Sequence, residues 1–202
     1  MTVYRPLIDD LAHLARHEGE RYIVLRPAGA VPASYEDVRA AVRRQCRGLP
    51  VSFPSEPHVT LAGFAKGTPL DAVRELAAEW AARTPALTIE VDGAGTFPTP
   101  FQIVVVRIRR TAELVDGLAS LRELALRRSL TQILTVPASD WVFHLTVAYC
   151  ETLEVTAWAN VASFVETLRP SPAKSTVGEA EVVAFDDGRE YSGGVVTLAS
   201  KD

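Results

Sequence analysis

The chain has 202 residues, 48% of them hydrophobic, and a formal net charge of −4. That length and apolar content suit one core-forming domain and exclude wholesale disorder. A net negative chain also lacks the clustered positive charge with which proteins grip duplex DNA or long RNA by the phosphates.

In chain order, residues 6–18 place Leu7, Leu11, Leu14 and Ala15 at helical spacing and read as an amphipathic N-terminal helix. His13 and His17 lie one turn apart on it, a spacing that can bind zinc. No third ligand or HExxH accompanies them, so they read as a solvated face. Residues 21–27 read as a strand, and Ser34 followed by Asp37 marks the start of a helix running to about Leu49. Pro50, Pro54 and Pro57 punctuate a loop before a strand over 58–64. Residues 70–83 are a helix of strong helix formers, and 87–92 and 101–109 are strands joined by a loop over 93–100. A helix over 111–128 and a less regular stretch, 129–140, lead to a strand over 142–150. A helix over 155–168 follows, then strands at about 177–185 and 193–199 joined through Asp186-Asp187-Gly188. No window approaches the ~20 apolar residues of a membrane span, and residues 1–10 lack a signal peptide's apolar stretch. Cys46 and Cys150 form no CxxC, so the chain reads as cytoplasmic, with reduced and buried thiols.

This order contains one unit twice: strand, helix, strand, helix, strand. The middle strand of each copy opens with the same four-residue pattern, His58-Val59-Thr60-Leu61 and His144-Leu145-Thr146-Val147. Side chains alternate along a strand, so each His and Thr share a face, roughly 6–7 Å apart, while the apolar residues between them face the core. Two such pairs facing each other supply two proton-transfer groups and two neutral donors, parts suited to phosphodiester chemistry without a metal or cofactor.

The paired motifs, with Pro57 before the first and Phe143 before the second, resemble those of the 2H phosphoesterase superfamily, the RNA 2′,3′-cyclic phosphodiesterases also called 2′-5′ RNA ligases. The resemblance covers about residues 21–199. It implies a bilobal α+β fold, a pseudo-twofold duplicated unit with antiparallel sheets lining a central cleft and helices outside. The expected lobes are about 21–97 and 101–199 of a single domain, with residues 1–20 as an N-terminal helix and terminal strands exchanged between lobes. It implies His58 and His144 as the catalytic acid–base pair, the second-motif His as base and the first as acid when a 2′-phosphate forms. Thr60 and Thr146 would bind the phosphoryl oxygens.

Phe97 and Phe101, flanking the Pro-rich loop, are candidates for a base-stacking rim. Strict alternation puts Trp141, Phe143 and Tyr149 in the core. Arg107, Arg109, Arg110, Arg122, Arg127 and Arg128 are either solvated charge or a basic lip for the substrate. The expected function is metal-independent hydrolysis of a 2′,3′-cyclic phosphate on an RNA end or small nucleotide by a monomeric protein with no membrane or duplex-DNA partner. The alternatives are a 2′-5′ RNA ligase, a phosphodiesterase of a nucleotide-derived metabolite, and a non-catalytic nucleotide- or RNA-binding protein of the same fold.

Overall fold

The computed structural model describes residues 4–8 and 10–200. In chain order it contains α1 (Leu11–Arg16), β1 (Arg21–Leu25), α2 (Ala30–Gln45), β2 (Val59–Phe64), α3 (Leu70–Ala81), β3 (Leu87–Phe97) and β4 (Ile103–Ile108). Then come α4 (Ala112–Arg127), β5 (His144–Tyr149), α5 (Val155–Thr167), β6 (Lys174–Val177), β7 (Glu179–Asp186) and β8 (Arg189–Thr197). The strands form two four-stranded antiparallel sheets, β2-β1-β7-β8 and β5-β4-β3-β6, the α+β class expected. Helices α2, α3, α4 and α5 pack against the sheets over one shared core.

Sequence halves and sheets do not coincide. β3, on the first side of the expected 97/101 division, hydrogen-bonds β4 in the second sheet, and β7 and β8 complete the first. The exchange is reciprocal: the last strand of each repeat lies beside the first strand of the other. Helix α2 follows the same logic. It belongs to the first repeat, yet its buried Tyr35 donates a 3.0 Å hydrogen bond to the Thr146 carbonyl on β5.

Local chemistry accounts for most of the boundaries. In α3, Val73, Leu76, Ala77, Trp80 and Ala81 form the buried stripe, and the Trp80 indole donates to the Gly117 carbonyl at 2.8 Å. Thr111 caps α4 by accepting from the Leu114 amide at 3.2 Å. The N-terminal helix is shorter than its apolar spacing predicts. The Glu190 carboxylate captures the amides of Leu7 and Ile8, and Asp10 caps the helix by accepting from the His13 amide at 2.8 Å. Helix α2 starts at Ala30 rather than Ser34, with Pro32 tolerated in its first turn. The Ser34 hydroxyl is buried and donates to the Ser171 carbonyl instead of capping.

Two segments read as loop are strand. Gly93–Phe97 continues β3 and pairs with β4 after a register shift between Val91 and Gly93, where Gly93 holds a positive φ, and Gly95 serves close approach rather than a turn. In the tail, Asp187 and Gly188, both at positive φ, make a two-residue hairpin turn. The expected polar loop after it is the first half of β8.

Candidate active site

β2 and β5 are edge strands, one from each sheet, and they meet across the cleft. Both carry a β-bulge at the same motif position. Ile23 and Val24 pair with Ala62 and Thr60, leaving Leu61 extra, and Val104 and Val105 pair with Ala148 and Thr146, leaving Val147 extra. A bulge resets the side-chain alternation beyond it. That corrects the expectation for Tyr149, which lines the cleft with His144 and Thr146 instead of entering the core. The corresponding residue of the first repeat is Gly63. A side chain there would meet the Tyr22 ring at 2.8 Å and Ile133 at 3.0 Å, so the glycine makes room for Tyr22 as a second aromatic wall. Trp141 and Phe143 are both in the core as expected, with Trp141 also bordering the cleft.

The two histidines are held alike. His58 Nδ1 lies 3.1 Å from the Glu56 carbonyl and His144 Nδ1 lies 2.8 Å from the Val142 carbonyl, in each case the carbonyl two residues upstream. A carbonyl only accepts, so Nδ1 carries the hydrogen and Nε2 of each neutral ring keeps its lone pair. Burial lowers the His58 pKa to about 4 against the opposing Glu56 carbonyl, and the Arg26 and His144 charges push it the same way as burial. Burial also lowers His144, opposed by the Val142 carbonyl.

His58, Thr60, His144, Thr146, Phe97 and Phe101 all line one cleft of about 350 Å³, closed by Tyr22, Ile103, Tyr149 and the segment Leu134–Val142. Phe97 stands edge-on to His144, ring centroids 4.9 Å apart, and Phe101 is 61% exposed at the rim. Most of the arginines considered for a basic lip are engaged elsewhere. Arg109 pairs with Glu90 and Asp92, Arg127 with Glu123, and Arg128 with Glu75 and Glu79. Arg110 donates to the Trp141 and Ala138 carbonyls, and Arg122 lies over the Trp141 ring and donates to the Val136 carbonyl, so these two fasten the cleft wall. Among the described residues no three His, Cys, Asp or Glu side chains converge as metal ligands.

His13 and His17 are not a solvated face. His13 is buried with its ring 4.1 Å from Tyr149, and His17 shares hydrogen bonds with Glu20 and the Tyr22 hydroxyl. Both back the aromatic wall of the cleft, a role no sequence motif signals. Burial, with help from His17 and Arg16, lowers the His13 pKa to about 4. Between the ordinary 6.5 and about 4 the unfolded chain therefore binds a proton that the folded chain refuses, and stability falls as pH falls across that window. His13→Phe keeps the stack and removes the titration. Its melting temperature is expected to drop less between pH 6.5 and 4.5 than that of the parent chain, in melts recorded across that range.

Two antiparallel sheets, each presenting His-x-Thr-x on the edge strand that faces the cleft, define the class of two-histidine, or 2H, phosphoesterases. The sequence matches the model of the 2′-5′ RNA ligase superfamily over residues 30–189, and the chain belongs to that superfamily. Among solved structures it is similar in fold to E. coli LigT complexed with ATP (TM-score 0.59, 18% identity, 90% of this chain and 99% of that chain). LigT complexed with 3′-AMP gives a TM-score of 0.58 at 16% identity, over 90% of this chain and 98% of that chain. Kluyveromyces marxianus Usb1 is similar too, with a TM-score of 0.52 and 10% identity over 90% of this chain and 98% of that one. No curated protein sequence matches the chain.

Proposed function

We propose that the protein opens a 2′,3′-cyclic phosphate on an RNA end or small nucleotide by two-histidine acid–base catalysis. The observation that carries this reading is the matched pair of imidazoles, each fixed through Nδ1 to the backbone with Nε2 left for the cleft, and each with a threonine two residues on. With one ring from each sheet lining the same cleft, a phosphorus between them would have a proton-transfer group on either side, which suits in-line displacement. One Nε2 takes a proton from water as the water oxygen bonds to phosphorus. The other gives a proton to the ribose oxygen as its bond to phosphorus breaks. Thr60 and Thr146 donate to the non-bridging oxygens, where negative charge grows. That LigT, similar in fold, is found complexed with 3′-AMP and with ATP supports a nucleotide as the ligand.

The electrostatics favour His58 as base and His144 as acid, the reverse of the assignment the family resemblance implies. Arg26 and His144 both act against a proton on His58, whereas burial alone lowers His144. On this assignment kcat/KM rises with pH through about 4 as His58 becomes neutral. It falls as His144 loses its proton, at a pKa below the ordinary 6.5. The optimum is therefore acidic, on the low side of 6.5.

Phosphorus NMR of EDTA-treated protein with the four nucleoside 2′,3′-cyclic monophosphates, recorded across pH, tests both statements. Conversion of each cyclic resonance to one monoester resonance, fastest below pH 6.5, is the expected result. Binding without conversion would instead make the protein a nucleotide-binding member of the fold.

A further inference from the structure

The two halves of the cleft are built alike and filled differently. On the β2-β1-β7-β8 sheet, the face that carries Thr60 also carries Val24, its neighbour across the strands, and Val24 is fully buried. Leu7, Ile8 and Leu14 of the N-terminal segment cover Val24, Val183 and Phe185. Arg26 on that sheet is ion-paired to Glu181 at 2.5 Å and stacked under the Tyr4 ring. Arg16 pairs with Glu151 and His13 packs on Tyr149, tying the same segment to the other sheet. No polynucleotide can run across this half of the cleft while the segment lies there.

The other half is open, and its matching arginine is free. Aligning the bulged strands sets Tyr22 on Ile103, Val24 on Val105 and Arg26 on Arg107. The same alignment sets Glu181 of β7 on Gly95 of β3. Where one sheet has an arginine ion-paired to glutamate, the other has Arg107 with its guanidinium lying over Gly95, which has no side chain to oppose it. Arg107 is exposed and, among the described residues, its guanidinium has no ion pair or hydrogen bond. It stands directly across from His144 in the β4–β5 register, and residues so paired point to the same face. Ile103, two alternations along β4 on that face, lines the cleft. An unpaired arginine on a chain of net charge −4 is a specific attractor for an anion, and its planar fork matches phosphate. Phe97, edge-on to His144, and exposed Phe101 offer faces for a nucleobase on the same side.

We propose that Arg107, lying over Gly95 on the open face of the β5-β4-β3-β6 sheet, is a second phosphate site. The substrate then carries two phosphoryl groups, the reacting cyclic phosphate between His58 and His144 and a further phosphate one nucleoside away. This rests on the reading of the reaction given above. The further phosphate is either a terminal 5′-phosphate or the next internucleotide phosphodiester. The substrate enters from the Arg107 side only, as an end and not as an internal stretch of chain.

The test compares kcat/KM for three substrates: a nucleoside 2′,3′-cyclic phosphate with a free 5′-hydroxyl, the same compound with a 5′-phosphate, and a dinucleotide ending in the cyclic phosphate. The parent protein is expected to prefer at least one phosphate-bearing substrate over the 5′-hydroxyl compound by about tenfold or more, expressed in KM, the scale of a charged hydrogen-bonding group. Which of the two is preferred identifies the source of the phosphate. The preference ratio falls to about one in Arg107→Ala, is partly kept in Arg107→Lys, and is lost in Gly95→Glu, which supplies the carboxylate that Glu181 gives Arg26. No preference in the parent protein, or a preference that survives Arg107→Ala, overturns the proposal. If none of the three is turned over, the reading of the reaction has failed. Calorimetry with adenosine 2′-monophosphate and adenosine 2′,5′-bisphosphate then decides the site by itself. Tighter binding of the bisphosphate that disappears in Arg107→Ala sustains it, and equal binding overturns it.

Discussion

Replacing either His58 or His144 with alanine is expected to lower kcat toward a 2′,3′-cyclic phosphate by about 10²–10⁴-fold, the range contributed by a positioned proton-transfer group. The fold should survive. Each ring is anchored by a single bond to a backbone carbonyl, and both side chains line a cleft rather than fill the core, so water can take the place of the ring. The double variant should be little worse than the poorer single one, because the pair acts as a unit. The check is single-turnover kinetics beside thermal melts. Full turnover in either single variant, with an unchanged melt, would remove that histidine from the chemistry and with it the two-histidine mechanism.

The second large effect is at the threonines. Thr60→Val and Thr146→Val keep the β-branched shape that suits a strand and delete only the hydroxyl. Each is expected to lower kcat by about 10²–10³-fold, as loss of one donor to a developing oxyanion does, while KM changes much less. Thr146 has an additional tie, a hydrogen bond to Tyr149 that draws the phenol's pKa down against the burial that raises it to about 12. Thr146→Val should therefore move the Tyr149 titration further up, measurable by ultraviolet absorbance, and Thr60→Val should not. Equal losses in KM and none in kcat would make the hydroxyls ground-state binders only.

The duplicated His-x-Thr-x pattern was legible because two residues of fixed chemistry, two apart on a strand, need nothing but the pleat to share a face. The same rule misplaced Tyr149. A single extra residue at Val147 reverses the parity, and nothing in a run of Leu-Thr-Val-Ala-Tyr announces a bulge. His13 and His17 read as a solvated face because no third ligand or HExxH accompanies them. The burial of His13 against Tyr149, and the contacts of His17 with Tyr22 and Phe185, come from strands distant in sequence. Gly93 to Phe97 read as loop from its glycines, and the purpose of Gly95 is visible only once Arg107 is seen lying over it. Helix α3, whose buried stripe is set by its own spacing, fell within two residues of its expected bounds. Sequence patterns thus revealed what neighbours along the chain determine, and missed what partners far along it impose.

The reciprocal exchange of strands has a consequence for how the protein is made. β1 and β2 exist early in synthesis, but the two strands that complete their sheet, residues 179–197, are made only after every other strand of both sheets. A nascent chain ending before them holds a two-stranded ribbon with an unpaired inner edge, and such ribbons are marginal in water. The first histidine is translated long before the surface that positions it can form. Neither repeat is thus an independent folding unit. Their shared core commits both in one cooperative step of high contact order, slow by comparison with a helical bundle of the same length. A chain without β7 and β8 would lack two of the four strands of the sheet that presents the first His-Thr pair.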